Sequence, residues 1–104
     1  GAVAIGDVAP VGSTIQFQVR DARAATDELE HQVSRTPTGC GALLFTCNGR
    51  GTNLFETTNH DASRLAACIH REVVAGMFCA GEIGPVSAQS FLHGFTASAA
   101  IFRD

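Results

Sequence analysis

Charged residues are scarce in this sequence, and lysine is absent altogether. Acidic and basic residues make up 16% of the 104 residues, all seven basic residues are arginine, and the formal net charge is −3. The arginines are scattered and form no basic stripe with interleaved aromatic residues. Nucleic-acid binding requires such a positive surface, because the phosphate backbone supplies most of the non-specific affinity. We therefore expect no nucleic-acid partner.

Closely paired cysteines are also missing. The four cysteines are Cys40, Cys47, Cys68 and Cys79. None of them belongs to a C-x-x-C pair, as a zinc knuckle or a thioredoxin-like motif would require. All but the first lie in apolar runs, where a reduced cysteine behaves as a small hydrophobic residue. This usage predicts free thiols and a cytoplasmic location.

No run of the sequence is suited to crossing a membrane. The longest stretch without a formal charge, residues 83–102, contains Pro85, His93, glycines and hydroxyl side chains, which make it a poor spanning segment. Internal repeats and low-complexity tracts are not visible either. Apolar residues make up 45% of the chain, enough for one core. Residues 1–104 are therefore expected to form a single domain with no membrane partner.

The first third of the chain has the periodicity of a strand followed by a helix. Over residues 14–20, apolar and polar residues alternate, which predicts a half-buried strand. An alternative prediction adds one more short strand, over residues 2–6. Asp21 can accept hydrogen bonds from orphan backbone N–H groups and so begin a helix that runs to about Ser34. The apolar positions of that helix are Ala22, Ala25, Leu29 and Val33.

Two apolar runs in the middle of the chain predict strands on either side of a second helix. Residues 41–47 have the pattern of a strand buried on both faces, or nearly so. A turn over residues 48–51 follows. The helix begins at Asn59 or Asp61, which can cap it, and runs to about His70, with Ala62, Leu65, Ala66 and Ile69 facing inward. Residues 73–80 predict the second apolar strand.

The last quarter of the chain predicts a loop and a returning strand. Residues 81–85 are expected to form the loop, and residues 91–102 most simply make one antiparallel strand. The element order is then β-α-β-α-β-β. We therefore predict an α+β fold, with a mixed sheet of four or five strands and two helices packed on it.

This chain order brings three charged or polar side chains to one edge of the sheet. Two neighbouring strands joined through a helix run parallel and end at the same edge. The loops after them present Arg50 and Glu82, and a returning strand would bring His93 close. Ligands favour such edges in open α/β sheets. Two structural readings remain open: Arg50 and Glu82 could simply pair and fix two loops, and His93 could have a structural role.

Several segments resemble signatures of the FIST C-terminal domain family. Residues 41–51 (GALLFTCNGRG) resemble its first motif, residues 74–86 (VAGMFCAGEIGPV) its second, and residues 91–96 (FLHGFT) its closing motif. Residues 17–21 (FQVRD) also fit, as the strand and helix start that precede them. The resemblance covers nearly the whole chain, with the motifs in order at plausible spacing.

The resemblance implies a sensory module of bacterial intracellular signal transduction, proposed to bind small ligands such as amino acids. We therefore expect a binding domain and not an enzyme, with no required cofactor. FIST proteins normally carry an N-terminal FIST domain ahead of this one. That implies that the chain is an excised part of a longer protein, with that domain as its partner. Because some members are associated with haem, a haem-associated sensor is an alternative.

A zwitterionic or carboxylate metabolite is the ligand that these side chains favour. Arg50 would hold a carboxylate through two charge-assisted hydrogen bonds, and Glu82 would accept from an ammonium group. Glycines beside both charges allow close approach of the backbone. The remaining candidate ligand-binding residues are Asn48, Gly51, Gly84, His93 and Thr96.

Three other functions are compatible with the sequence. The chain could be an interaction domain that docks its N-terminal FIST neighbour or a signalling partner. Cys47 or Cys79 could act as a nucleophile with His93 as base, but both cysteines lie in apolar runs and no orienting carboxylate is evident. His93 or a cysteine could also bind haem or a metal.

Overall fold

The computed structural model describes residues 1–6, 8–36, 39–70 and 73–103. Within these ranges, two helices and five strands follow one another. They are α1 (Ala22–Ser34), β1 (Gly41–Cys47), α2 (His60–Ile69), β2 (Val74–Cys79), β3 (Glu82–Val86), β4 (Gln89–His93) and β5 (Ala97–Phe102). A short 3-10 helix, Gly51–Asn53, lies between β1 and α2. The predicted α+β class is confirmed. Neither helix is long and apolar enough to cross a bilayer.

The strands form two separate sheets. In the larger one β1 is central, with β2 on one side and β5 on the other. β1 and β2 are parallel and finish level with each other, Cys47 beside Cys79, whereas β5 runs antiparallel to β1. β3 and β4 form a two-stranded antiparallel hairpin. The parallel pair confirms the routing on which the prediction of a shared sheet edge depended.

Both helices pack on the same face of the three-stranded sheet. Val33 of α1 and Leu65 and Ile69 of α2 meet Ala42 and Leu44 of β1 in the buried core. Alternate residues of a strand face opposite sides, so Leu43 points away from the helices and is 37% exposed. The expectation that β1 is buried on both faces, or nearly so, was therefore too strong, because the helices cover only one side of the sheet.

α1 begins where the sequence predicted. The carboxylate of Asp21 accepts a hydrogen bond from the backbone N–H of Ala24 at 3.0 Å, and the helix continues to Ser34. Its apolar positions face the sheet and α2, as their spacing of three and four residues requires. The helix is therefore explained by its local sequence.

The predicted strand over residues 14–20 does not form, nor does the alternative strand over residues 2–6. Ile15, Phe17 and Val19 are 57%, 79% and 88% exposed. A strand must satisfy its backbone N–H and C=O groups on a neighbour, and no described strand pairs with this segment. The prediction was wrong because alternation shows which face of a strand can be buried, and not whether a partner strand is available.

The end of the chain also differs from the prediction. The expected loop over residues 81–85 contains the start of β3, and the single strand expected over residues 91–102 is two strands. They separate around Phe95, whose φ of 62° lies in the left-handed region. This break lets β4 pair with β3, and β5 pair with β1. Pro85 is tolerated because a two-stranded hairpin has only edge strands.

Substitution of Gly76 in β2 tests how closely β1 and β2 approach each other. A Cβ atom at Gly76 would overlap the carbonyl oxygen of Leu44. Gly76→Ala should therefore lower the free energy of unfolding by about 3 kcal/mol or prevent folding. Urea denaturation followed by circular dichroism measures the change. Gly94→Ala is the matched control, because nothing lies within 4 Å of a Cβ at that position. Equal stability of Gly76→Ala and the wild type would contradict the strand spacing.

Candidate functional site

Arg50, in the turn after β1, is held by a buried ion pair with Asp61. Its side chain is only 7% exposed. Its Nε donates to Asp61 Oδ2 at 2.7 Å, and its Nη2 donates to Asp61 Oδ1 at 2.8 Å. Two parallel charge-assisted bonds of this kind fix both distance and orientation. Because Asp61 lies in the first turn of α2, the pair ties the end of β1 to the start of that helix.

The start of α2 differs from the capping predicted for it. Asn59 occupies the N-cap position, but with φ of 56° and no hydrogen bond from its side chain to the helix. Asp61 lies inside the first turn and is buried. Of the two predicted capping residues, Asn59 occupies the N-cap position and Asp61 does not, because the carboxylate of Asp61 binds Arg50.

His60, Thr26 and Phe55 extend this ion pair into what we call the Arg50 network (Arg50, Asp61, His60, Thr26 and Phe55). His60 Nδ1 lies 3.1 Å from Asp61 Oδ1, and His60 Nε2 lies 3.0 Å from Thr26 Oγ1. The imidazole stacks on the Phe55 ring, with 3.6 Å between ring centroids. The network therefore links the turn after β1 to both helices.

Proton accounting in the network assigns the donors. The Thr26 hydroxyl donates its proton to the carbonyl oxygen of Ala22 at 2.8 Å. An ionised Asp61 can only accept. Nδ1 of His60 therefore donates to Asp61. Asp61 thus accepts hydrogen bonds from both Arg50 and His60.

These neighbours set the acidity of Asp61. Burial by itself raises the pKa of a carboxyl group, since it disfavours the charged form. Hydrogen bonding and charge from Arg50, followed by those from His60, outweigh this effect and hold the pKa of Asp61 below its ordinary value of 3.8. Asp61 is therefore ionised at neutral pH and serves as a permanent partner for Arg50.

Glu82 is hydrogen-bonded to Thr96 and not to Arg50. It begins β3 and is 3% exposed. Its Oε2 accepts from the Thr96 hydroxyl at 2.8 Å and from the Thr96 backbone N–H at 3.3 Å. Its Oε1 is buried and has no hydrogen-bond partner among the described residues. Arg50 and Glu82 therefore do not pair with each other: each is fixed by another residue.

His93 lies opposite Glu82 in the β3–β4 hairpin. Its Nε2 donates to the carbonyl oxygen of Gly84 at 3.0 Å, since a carbonyl can only accept. The two residues predicted at the sheet edge are therefore neighbours, but the hydrogen bond of His93 is internal to the hairpin. This contact fits the structural reading of His93.

A cleft lies between α1 and the turn that joins β4 to β5. We call it the Arg50 cleft, and its principal lining residues are Glu28, Leu29, Gln32, Arg50, Phe95 and Thr96. Its volume is about 160 Å³. It shares Arg50, Glu28 and Phe95 with a wider recess of about 340 Å³ beside residues 18–21. There the guanidinium of Arg20 lies 4.0 Å from the centroid of the Phe95 ring.

The structure distributes the seven predicted site residues over several places. Arg50 and Thr96 line the Arg50 cleft, and Glu82 is bonded to Thr96. Gly84 and His93 belong to the hairpin. Asn48 is exposed in the turn, where its carbonyl oxygen accepts from Asn53 Nδ2 at 2.8 Å. Gly51 lines a separate pocket beside β2. Only part of the predicted set therefore shares one cleft.

Sequence reasoning missed the helical wall of this cleft. Neither Glu28 nor Gln32 is among the predicted site residues, although both line the cleft. The spacing of three and four residues from Ala25 through Glu28 to Gln32 was the available signal, because it places these residues on one side of the helix. Asp61 was considered only as a cap, so its role as the partner of Arg50 was also missed.

The cysteines and the metal-ligating residue types form no reactive group in the described ranges. All four thiols are free. Cys47 Sγ accepts from the backbone N–H of Gly49 at 3.4 Å, and Cys79 Sγ donates to the carbonyl oxygen of Met77 at 3.8 Å. Across the described residues, no three His, Cys, Asp or Glu side chains are close enough together to hold a metal ion.

Comparison with known proteins identifies the relatives of the chain. The family model for the FIST C domain matches residues 1–85, so the segment that resembles the closing motif, residues 91–96, lies beyond the match. The uncharacterized protein Rv0628c of Mycobacterium tuberculosis is 51% identical over 109 residues. The uncharacterized protein Mb0898c of Mycobacterium bovis is 48% identical over 109 residues.

These relatives are much longer than the region they share with this chain. Each alignment covers 100% of the chain but only 28% of the relative. No solved structure matches the chain significantly.

The ion pair predicts how acid affects stability. Asp61→Asn leaves Arg50 buried without a countercharge, so it should cost about 3 kcal/mol of unfolding free energy at neutral pH. Because the pKa of Asp61 is lower folded than unfolded, its stabilisation is present above about pH 3.8 and is lost as the pH falls through the folded value. The difference between the wild type and Asp61→Asn should therefore shrink in acid.

Urea denaturation from about pH 7 down to about pH 3 measures this difference. Asp27→Asn is the control, because its contact with Arg23 is long, 3.9 Å, and both side chains are exposed. A penalty for Asp61→Asn that stays constant across the acid range would contradict the assignment of a lowered pKa to Asp61.

Proposed function

The chain belongs to the FIST C domain family, and on that premise we propose that it is a sensory domain that binds a small zwitterionic metabolite in the Arg50 cleft. Membership of the family implies a role in signal transduction. The observation that carries the proposal is the placement of Arg50. Asp61 binds two of its guanidinium nitrogens, whereas Nη1 forms no hydrogen bond with a described residue and Arg50 lines the cleft.

The fixed guanidinium suits selective recognition of a carboxylate. Asp61 has already removed the rotamer freedom of Arg50, so a ligand need not order that side chain when it binds. The same contact compensates much of the positive charge, which limits the affinity for an anion. A sensor that must release its ligand when the concentration falls benefits from both properties.

The opposite wall of the cleft suits an ammonium group. Glu28 lines the cleft and forms no ion pair with a described residue. The hydroxyl proton of Thr96 is donated to Glu82, so the oxygen of Thr96 remains available to accept from a ligand N–H. Glu28 therefore replaces Glu82 as the acceptor for the ammonium group, and Glu82 instead positions Thr96.

The size of the cleft favours a ligand of amino-acid dimensions. Its volume of about 160 Å³ equals that of about five water molecules in the liquid. A porphyrin would need a much larger enclosure. Coordination of iron by His93 Nε2 would also require loss of its hydrogen bond to Gly84. The residues present therefore do not fit haem.

The remaining parts of this proposal are binding without catalysis and a cytoplasmic location. Cys47 and Cys79, the two candidate nucleophiles, form hydrogen bonds to backbone groups and not to a histidine in the described ranges. Four free thiols suit a reducing compartment.

Calorimetric titration with a panel of amino acids tests the proposed cleft. Each amino acid is compared with its methyl ester, which lacks the carboxylate, and its N-acetyl form, which lacks the ammonium group. We expect only the free amino acid to bind. Glu28→Gln should weaken this binding about tenfold, because it removes a charged hydrogen-bond acceptor.

Asp27→Asn, one residue away on the same helix, should leave the binding unchanged, since Asp27 is exposed. Equal binding of the N-acetyl form, or full affinity in Glu28→Gln, would sink the proposed site.

A second candidate function, docking, is favoured by the exposed segment 14–20. Ile15, Phe17 and Val19 are exposed on one side of an unpaired, strand-like sequence. The alignment covers 28% of the relative, so the remaining 72% of that longer chain lies outside the shared region. We propose that the N-terminal FIST domain of such a longer chain pairs with this segment as an edge strand.

Hydrogen exchange compares this chain with the longer Mycobacterium tuberculosis relative. The amides of residues 14–20 should exchange rapidly here and slowly at the corresponding positions of the relative, because strand pairing protects them. The amides in the middle of α1 are the control and should be protected in both proteins. Rapid exchange of the segment in both proteins would contradict docking through residues 14–20.

A further inference from the structure

A second pocket lies on the other side of Asp61, between the start of α2 and the edge strand β2. We call it the β2 pocket. Its volume is about 160 Å³. Polar groups at one end belong to the first turn of α2 and to Thr46, and the rest of its wall is largely apolar. Neither the Arg50 cleft nor the predicted set of site residues accounts for it, except that Gly51 contributes to its lining.

The first turn of α2 supplies unused hydrogen-bond donors. His60, Asp61 and Ala62 all line the pocket, and N–H groups in the first turn of a helix have no acceptor within the helix. The side chain of Asn59, at the N-cap, makes no capping hydrogen bond. The positive end of a ten-residue helix therefore faces the pocket.

Thr46 gives an independent indication of a ligand. It lies on the helix-facing side of β1, lines the pocket, and is 5% exposed. Its hydroxyl forms no hydrogen bond with a described residue, whereas Arg50, Asp61 and one oxygen of Glu82 are bonded. A polar side chain in a residue buried to this extent normally has a partner, and Thr46 lines the pocket, so a ligand bound there would supply one.

The local charges do not exclude an anion. Both oxygens of Asp61 are occupied: Oδ2 by Arg50 Nε, and Oδ1 by Arg50 Nη2 and His60 Nδ1. The charge of the Arg50 guanidinium balances that of the Asp61 carboxylate. The pocket therefore presents hydrogen-bond donors and no unpaired carboxylate to pair with an ammonium ion.

The remainder of the pocket suits an aliphatic group. Leu44, Val74, Met77 and Phe78 line it, and the last two are substantially exposed at the sheet edge. Gly76 forms part of the same wall. Covering such apolar side chains with a ligand removes them from water.

We propose that the β2 pocket binds a short-chain aliphatic monocarboxylate. Its carboxylate accepts from the first-turn N–H groups of α2 and from the Thr46 hydroxyl, and its hydrocarbon tail packs against Val74, Met77 and Phe78. This ligand differs from the zwitterion of the Arg50 cleft, because the lining of the β2 pocket has no unpaired carboxylate to pair with an ammonium group. The two sites lie on opposite sides of the Arg50–Asp61 pair.

Isovalerate is the probe, and nitrogen-15 NMR of the protein is the measurement. Titration should shift the amide signals of residues 60–62 and 74–78 until they saturate. Isovaleramide, which has the same shape without the charge, should produce no saturable shift. Thr46→Val, which keeps the shape of the side chain, should weaken isovalerate binding at least about fivefold. Thr57→Val, at an exposed position outside the pocket, is the matched control and should bind normally.

Three results would overturn the proposal: equal binding of isovaleramide, full affinity in Thr46→Val, or shifts confined to the Arg50 cleft. If Thr46→Val does not fold, Phe78→Ala at the exposed edge replaces it, and undiminished binding in that variant would overturn the proposal too. Glu28→Gln should leave isovalerate binding intact. Failure of the Arg50 cleft to bind amino acids is therefore distinguishable from failure of this site.

Discussion

The buried ion pair between Arg50 and Asp61 is the interaction on which the arrangement of this domain depends. It joins the turn after β1 to the first turn of α2, and His60 carries the connection on to Thr26 in α1. A buried charge is costly unless it is paired and hydrogen-bonded, so removing either side chain would leave the other as an unpaired buried charge. The pair therefore sets where the loop, both helices and the sheet edge lie relative to one another.

The same pair divides the two clefts of the domain. Arg50 lines the cleft beside α1, and Asp61 lines the pocket beside β2. On the first side, a partly compensated guanidinium faces Glu28, so charges of both signs are available. On the second side, the bonded carboxylate leaves only helix N–H groups and the Thr46 hydroxyl to meet a ligand. One ion pair thus gives two adjacent spaces different chemical preferences.

Several apolar residues are exposed because the two helices cover only one face of the sheet and no described strand pairs with residues 14–20. Leu43 and the strand-like residues 14–20 therefore remain accessible. The family relatives are longer than this chain, which covers 28% of their length. An unpaired segment with alternating apolar residues can add as a strand to the sheet of another domain. The feature that looked like a failed strand prediction is therefore also the best argument for a docking surface.

Local physics determined α1, β1, α2, β2 and the parallel order of the two central strands, because capping, periodicity and crossover geometry act over short stretches of sequence. It also singled out Arg50 and Glu82, since charges beside glycines and at strand ends are visible in the sequence. Only the tertiary structure decided that Arg50 pairs with Asp61, that Glu82 holds Thr96, and that residues 91–102 form two strands. Each of these depends on which distant groups come within hydrogen-bonding distance, and no periodicity in one segment records that. The hydroxyl of Thr46 is the clearest case: its sequence position indicates a buried strand residue, and only the surrounding coordinates show that it lacks a partner.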